Sequence, residues 1–146
     1  MDPRDRLAFR ITTLSNMLQR WASRGFAGRL DIHLMDWRIL SGLRHTGPAT
    51  ASELCDFAVM DRGNASRVIT RLLERRLVRR RADGADGRKN ILALEPKGRR
   101  LCDRAGSFID QRESRLMNAL SATERKQLVK ILGELETEAR AMLEEN

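Results

Sequence analysis

The apolar positions of this chain fall into stripes at helical spacing, broken once by a short stretch that alternates like sheet. Leu7, Ile11, Leu14, Leu18 and Trp21 are spaced 4, 3, 4 and 3, the narrow seam of a helix that packs on another helix. Asp2-Pro3 suits its start, and Arg24-Gly25 through Gly28 predicts its end, because glycine takes a left-handed C-cap cheaply. The seam fits a partner within the chain or a second chain equally well.

A second helix is predicted from Leu34 to Arg44, burying Trp37, Ile39, Leu40 and Leu43, and is broken by His45-Thr46-Gly47-Pro48. Thr50-Ala51-Ser52-Glu53 is a capping box that starts a third helix at about Ala51, running to about Met60. After a turn at Asp61–Gly63, a fourth helix is predicted from about Asn64 to Arg76. Ala65, Val68 and Leu72 face inward on it, and Asn64, Ser66, Arg67, Thr70 and Arg71 fall on the other side. Leu77–Arg81 and Asn90–Glu95 read as two strands around the turn dipeptides Asp83-Gly84 and Asp86-Gly87. The loop between them is longer than a two-residue turn and should project as a wing.

Pro96 opens a long helix with Leu101, Ala105, Phe108, Ile109, Leu116 and Leu120 as its apolar positions. Ser121-Ala122-Thr123-Glu124, a second capping box, opens the last helix, where Leu128, Leu132, Leu135, Ala139 and Met142 repeat the 4, 3, 4, 3 spacing. These two helices, each about 20 residues and so roughly 30 Å long, exceed what a small winged lobe can cover. A dimer is the economical way to bury their seams. The predicted fold is mainly α with a small β-hairpin wing: a winged helix–turn–helix with long N- and C-terminal dimerisation helices. It divides into an N-terminal dimerisation helix (1–29), a DNA-binding lobe (30–97) and C-terminal dimerisation helices (98–146).

Charge sharpens this picture. Residues 61–100 carry thirteen Lys/Arg against five Asp/Glu, a net of +8, which equals the net charge of all 146 residues. A polyanion would find its counter-charge here. An α-helix fits the major groove, where Arg can hold guanine and Asn adenine, and Ser and Thr reach bases or phosphates. Asn64, Ser66, Arg67, Thr70 and Arg71 are the candidate readers, with Thr50 and Ser52 near phosphate at the start of the third helix. The wing offers Arg79, Arg80, Arg81, Arg88 and Lys89, and Arg in a narrow minor groove reads shape. Asp86 serves as a turn former and could also pair with Arg88 and aim it.

At 41% hydrophobic and 33% charged the chain can bury a core. It has no membrane-length apolar run, and its N-terminus lacks an apolar signal core, so the cytoplasm is expected. Cys55 and Cys102 lie far apart and read as core filler rather than redox sensors or metal ligands. His33 and His45 are the two histidines and form no ligand cluster. No nucleophile elbow, phosphate-binding glycine loop, HExxH or dinucleotide fingerprint occurs, so neither an enzyme nor a bound cofactor is expected.

With these residues placed, the chain resembles the MarR (multiple antibiotic resistance regulator) family of bacterial transcription factors over nearly its whole length. The resemblance rests on Trp37-Arg38-Ile39-Leu40, Ala51-Ser52-Glu53-Leu54, and Ala65-Ser66-Arg67-Val68-Ile69-Thr70-Arg71-Leu72-Leu73. It continues through Leu77-Val78-Arg79-Arg80, Asp86-Gly87-Arg88 and Leu94-Glu95-Pro96-Lys97-Gly98. The D-x-R wing and the L-x-x-x-G junction are its most specific parts. The resemblance implies a homodimer with intertwined terminal helices, bound to double-stranded DNA at a pseudo-palindromic operator, with Arg88 at the minor groove and Asp86 steadying it. It also implies a repressor released by a small, often aromatic ligand held between the dimerisation helices and the DNA-binding lobe. From that location Arg10, Met17, His33 and Trp37 are the candidate lining residues.

The sequence departs from the family at Arg76, where glycine is usual. Either Arg76 takes a left-handed conformation or the helix ends differently. With no Tyr in the chain and no cysteine in the first helix, an organic-peroxide sensor of the familiar type is not expected. Two rival readings keep the same charge. A constitutive activator or architectural DNA binder would show no ligand-dependent release. A basic protein-interaction module would bind random and selected DNA equally.

Overall fold

The computed structural model describes residues 2–82 and 90–145. After a short 3-10 turn at Pro3–Asp5 come α1 (Leu7–Leu30), α2 (Leu34–Thr46), α3 (Ala51–Ala58) and α4 (Arg62–Glu74). β1 (Val78–Ala82), β2 (Asn90–Leu94), α5 (Pro96–Met117) and α6 (Ala122–Glu144) follow. The chain forms two compact units, Met1–Ser107 and Phe108–Asn146.

In the first unit, α2, α3 and α4 enclose a core of Ile39, Leu40, Leu54, Val68 and Leu72, with Phe26 of α1 and Leu77 also fully buried. Burying each of these larger side chains contributes about 1.5–3 kcal/mol relative to exposure. The hairpin is antiparallel, with Val78 opposite Leu94 and Ala82 opposite Asn90. A bridge ties it to the start of α3: Ala49 N–H donates to Leu92 O at 3.1 Å and Leu92 N–H donates to Ala49 O at 2.8 Å. β2 buries Ile91 to Leu94, whereas β1 exposes Arg79, Arg80 and Arg81. The strand therefore presents its cations to solvent while its partner holds the core.

The predicted stop of the first helix at Gly25–Gly28 is corrected: α1 runs on to Leu30. The reason is packing. Ala22, Phe26 and Leu30 lie on one stripe and are all buried, which outweighs two helical glycines costing about 1 kcal/mol each. The helix ends instead at Asp31, in the left-handed region at φ 51°. Its terminal carbonyls are satisfied by cations from later elements. Arg104 Nη2 donates to Arg29 O at 3.0 Å, and Arg75 Nη1 donates to Asp31 O at 2.6 Å, as the negative end of a helix favours.

The two capping boxes form as expected. Thr50 Oγ1 accepts from Glu53 N–H at 3.3 Å, and Glu53 Oε2 accepts from Thr50 N–H at 2.7 Å. Ser121 and Glu124 repeat this with the same two distances. In the second unit α6 buries no residue; Leu132 and Met142 of its seam are exposed.

Arg76 takes the left-handed conformation, at φ 54°. Its N–H donates to Leu73 O at 2.9 Å, and Leu77 N–H donates to Leu72 O at 3.0 Å. This is a Schellman C-cap with a non-glycine residue where glycine is cheapest. Arg76→Gly is expected to raise stability by about 0.5–1 kcal/mol, the relief of left-handed strain less the extra freedom glycine has when unfolded. A calorimetric midpoint should rise by about 2–3 °C; a lower midpoint would mean that the Arg76 side chain contributes more than its backbone costs.

Candidate nucleic-acid interface

The helix pair α3–α4 is built by local chemistry. α3 ends at Val59, left-handed at φ 48°, with Met60 N–H donating to Cys55 O at 3.0 Å. The last helical residue is Ala58, with Val59 as the C-cap, two residues short of the predicted end at Met60. Asp61 then caps α4, its Oδ1 accepting from Asn64 N–H at 2.8 Å. α4 therefore begins at Arg62, inside what the sequence suggests is a turn, and Gly63 is helical. Arg38 of α2 locks the pair, Nη1 donating to Ala58 O at 3.3 Å.

On α4 the buried residues are Ala65, Val68, Ile69 and Leu72. Ser66, Arg67 and Thr70 are exposed on the opposite side and Asn64 is half-buried. Ser66, Arg67 and Thr70 share one face at helical spacing, as the sequence predicts, and Asn64 lies at the border of the buried stripe. Ser52 is exposed in the first turn of α3. The Thr50 hydroxyl is engaged twice by Glu53, accepting its N–H and donating to Oε2 at 2.8 Å, so its contribution is to the cap. Arg79 and Arg81 are exposed on β1, with Arg79 Nε 3.6 Å from Glu95 Oε1. Asp86, Arg88 and Lys89 lie outside the described residues.

Arg71 does something the sequence did not reveal. Its guanidinium turns toward Asp36 of α2, whose side chain is 0% exposed. Nε donates to Asp36 Oδ1 at 3.0 Å and Nη2 donates to the same oxygen. Asp36 Oδ2 accepts from His33 N–H at 2.8 Å, capping the start of α2. One buried carboxylate thus holds α4 and the first turn of α2 together. The two residues are 35 positions apart, and nothing in the local pattern around either one signals the pair. The only hint is an Asp amid the apolar positions of α2.

The four candidate ligand-lining residues are not brought together in one chain. Trp37 is half-buried against Phe26, ring centroids 5.8 Å apart. Arg10 lies sixteen residues before Phe26 on α1, about 24 Å along the helix, and Met17 about 14 Å. Arg10, Met17 and His33 are exposed.

Both cysteines are free and buried. Cys102 Sγ donates to Leu40 O at 3.7 Å. Burial pushes its thiol up to about 11, opposed by the nearby Arg44 charge and assisted by that of Asp103. At pH 8 roughly 0.1% would be thiolate, the reactive form. Cys102 should therefore resist a thiol reagent in the native protein and react at once in denaturant; rapid native labelling would contradict its burial. Among the described residues, no group of three or more His, Cys, Asp or Glu could hold a metal ion. No helix there is long and apolar enough to cross a membrane.

Comparison with known proteins bears on this surface. Residues 30–89, which contain α2, α3, α4 and β1, match the MarR family model. The HTH-type transcriptional regulator BilQ of Clostridium symbiosum is 31% identical over 83 residues, 57% of this chain and 58% of its own length. The match thus spans a little over half of that relative. A MarR/EmrR family transcriptional regulator from Acinetobacter sp. ADP1 shares the fold, with a TM-score of 0.85 at 24% identity, over 90% of this chain and 93% of the other. Bordetella bronchiseptica BpsR, whose DNA binding is regulated by 6-hydroxynicotinic acid, gives a TM-score of 0.64 at 25% identity, over 85% of this chain and 98% of its own.

Proposed function

We propose that the chain, whose residues 30–89 match the MarR family model, is a member of that family and a homodimeric, sequence-specific transcriptional repressor. It acts on DNA in the cytoplasm and is released by a small ligand. The observation that carries the reading is the outer face of α4. Ser66, Arg67 and Thr70 stand opposite a fully packed stripe, Asn64 borders it, and the exposed cations of β1 follow directly. Such a helix enters the major groove with these four toward base edges, while Arg79, Arg81, Arg88 and Lys89 meet phosphates and the minor groove. Arg71, tied to Asp36, orients α4 rather than reading a base.

The dimer reading is supported by apolar surface left uncovered on two helices. Leu7, Ile11, Leu14, Met17 and Trp21 on α1 are exposed, as are Ile131, Leu132 and Met142 on α6. Isolated, that surface would favour association. Arg10 and Met17 of one copy can approach His33 and Trp37 of another, so a pocket using all four would be assembled across the dimer. The BpsR precedent supports small-molecule control: a ligand that favours the geometry in which the two reading helices miss successive grooves lowers affinity.

Selection of bound sequences from a random DNA pool tests the core of this reading. A pseudo-palindrome with half-sites about one helical turn apart is expected. Arg67→Ala should weaken binding to the selected site by about 1–3 kcal/mol, roughly 5- to 150-fold, and relax preference at one position of each half-site. Equal affinity for selected and random DNA would remove the regulator reading in favour of a basic protein-interaction module.

A further inference from the structure

One apolar patch of the first unit is left uncovered, and it lies just before α4 rather than on the long helices. Phe57 is 45% exposed and Val59 78% exposed. Among the described residues, every other exposed large apolar side chain lies on α1 or α6, where the proposed dimer covers it. Phe57 rests one edge on Gly42 of α2: a Cβ added there would lie 3.0 Å from its Cδ1. Its ring also tilts against His45, with centroids 6.1 Å apart. The ring is held in place while its outer part meets solvent. Val59 takes the left-handed C-cap of α3 at φ 48°. A β-branched side chain is the most costly kind there and glycine the cheapest. So exposed a side chain returns little packing to the fold, and the cap itself asks for no valine. An outlier held on the surface at such a cost points to a use outside the folded chain.

Carboxylates flank this patch. Glu53 and Asp56 share the outward side of α3 with Phe57, since Leu54, Cys55 and Ala58 take the buried side. Asp61 is exposed just after Val59. No Lys or Arg occurs from His45 to Asp61, whereas residues 61–100 carry the net +8. The local charge selects the partner. Phosphates are repelled, so the patch does not continue the DNA face, and an anionic membrane is disfavoured for the same reason. A second copy meeting through the same patch would bring like charges together. A protein surface fits that sets an apolar side chain inside a rim of Lys or Arg. Position adds a constraint. Asp61 also caps α4, its Oδ1 accepting from Asn64 N–H at 2.8 Å, so the partner must sit beside whatever α4 docks on. A protein that shares DNA with a regulator carries basic surface of its own, and RNA polymerase is the one that every promoter brings alongside.

We propose that Phe57 and Val59, rimmed by Asp56 and Asp61, form a docking surface for a basic face of RNA polymerase that presents an apolar side chain. Its use at a promoter rests on the DNA-binding reading above; the protein contact itself does not. Two apolar side chains and a charged rim make a small interface of the transient class. Such a contact gains strength when both partners sit on one DNA, because the second binding event becomes intramolecular.

The test titrates purified bacterial RNA polymerase holoenzyme over the immobilised full chain by interferometry, without DNA. The wild type should bind reversibly and saturably at micromolar concentrations. The double variant Asp56→Lys/Val59→Gly should weaken that binding about tenfold or more. Its Val59→Gly half relieves the left-handed strain, so the fold is preserved, and Asp61 is left alone because it caps α4. Asp56→Lys alone, at an exposed position, should weaken binding about threefold or more. The direction is informative: mere adhesion of this +8 chain to an acidic surface would be strengthened by the added lysine. The proposal is overturned if the wild type shows no saturable binding, or if the double variant binds polymerase as tightly or more tightly. It is equally overturned if that variant loses more than about threefold in affinity for selected DNA, or sediments in a different oligomeric state. The patch would then belong to the DNA face or to a contact between copies. Polymerase binding that depends on Asp56 and Val59 in a chain that prefers no DNA sequence would uphold the patch and defeat the DNA-binding reading instead.

Discussion

Asp36→Ala is expected to lower the unfolding free energy by about 3 kcal/mol, one of the largest losses available from a single side chain of this protein. Removing one partner of a buried ion pair typically costs about 3–5 kcal/mol, because the remaining charge has lost its compensation. Here the remaining charge is Arg71, whose side chain is 36% exposed, so water recovers part of the loss and the lower end applies. The same substitution also strips the acceptor from His33 N–H and frays the first turn of α2. Thermal midpoints should fall by about 10 °C. Arg71→Ala should do at least as much harm, since it strands a carboxylate with no route to solvent. In the double-mutant cycle the two losses should be strongly non-additive. Replacing both by well-packed apolar residues should recover much of the stability; on the proposed function it should not recover DNA affinity, because Arg71 lies one turn beyond Arg67 and would orient the proposed DNA-facing side of α4. A loss below about 1 kcal/mol for Asp36→Ala would show that the pair is solvated and does not hold α4.

That pair also marks where reading the sequence stops. Local chemistry was legible: Thr50 with Glu53 and Ser121 with Glu124 form their boxes because each needs only four consecutive residues. The outer face of α4 was legible because helical spacing alone puts Ser66, Arg67 and Thr70 opposite Val68 and Leu72. The end of α1 was not. Gly25 and Gly28 read as a stop, and only the burial of Phe26 and Leu30 by elements later in the chain overrides them. Arg71 was misplaced for the same reason: its spacing puts it near the outer face, and a carboxylate 35 residues earlier turns it inward. Arg76 stood between two alternatives that propensity could not separate, and the hydrogen bonds of Leu77 and Arg76 back to Leu72 and Leu73 select the left-handed one.

Gly98→Ala should destabilise by about 2–3 kcal/mol, while Gly106→Ala in the same helix should stabilise by up to about 1 kcal/mol. Intrinsic propensity favours both changes, by about 1 kcal/mol in the helix interior where Gly106 sits and by less in the first turn where Gly98 sits. The difference is what each new methyl meets. At Gly106 there is nothing within 4 Å. At Gly98 the Cβ would lie 2.1 Å from Leu77 O and 3.0 Å from Leu77 C. That oxygen is part of the backbone and already accepts Glu95 N–H at 3.0 Å, so it cannot swing aside as a side chain would. α5 must instead lift away from the root of β1, opening contacts around Leu77 and Leu94, and overpacking of this kind costs about 1–3 kcal/mol or more. The net loss should lower the melting midpoint by about 5–10 °C. Melting curves of the two variants measured side by side decide the matter, because opposite signs isolate the contact from propensity. A Gly98→Ala protein as stable as its Gly106→Ala counterpart would show that α5 does not approach Leu77 this closely. The wing would then be free to move independently of the helix that follows it.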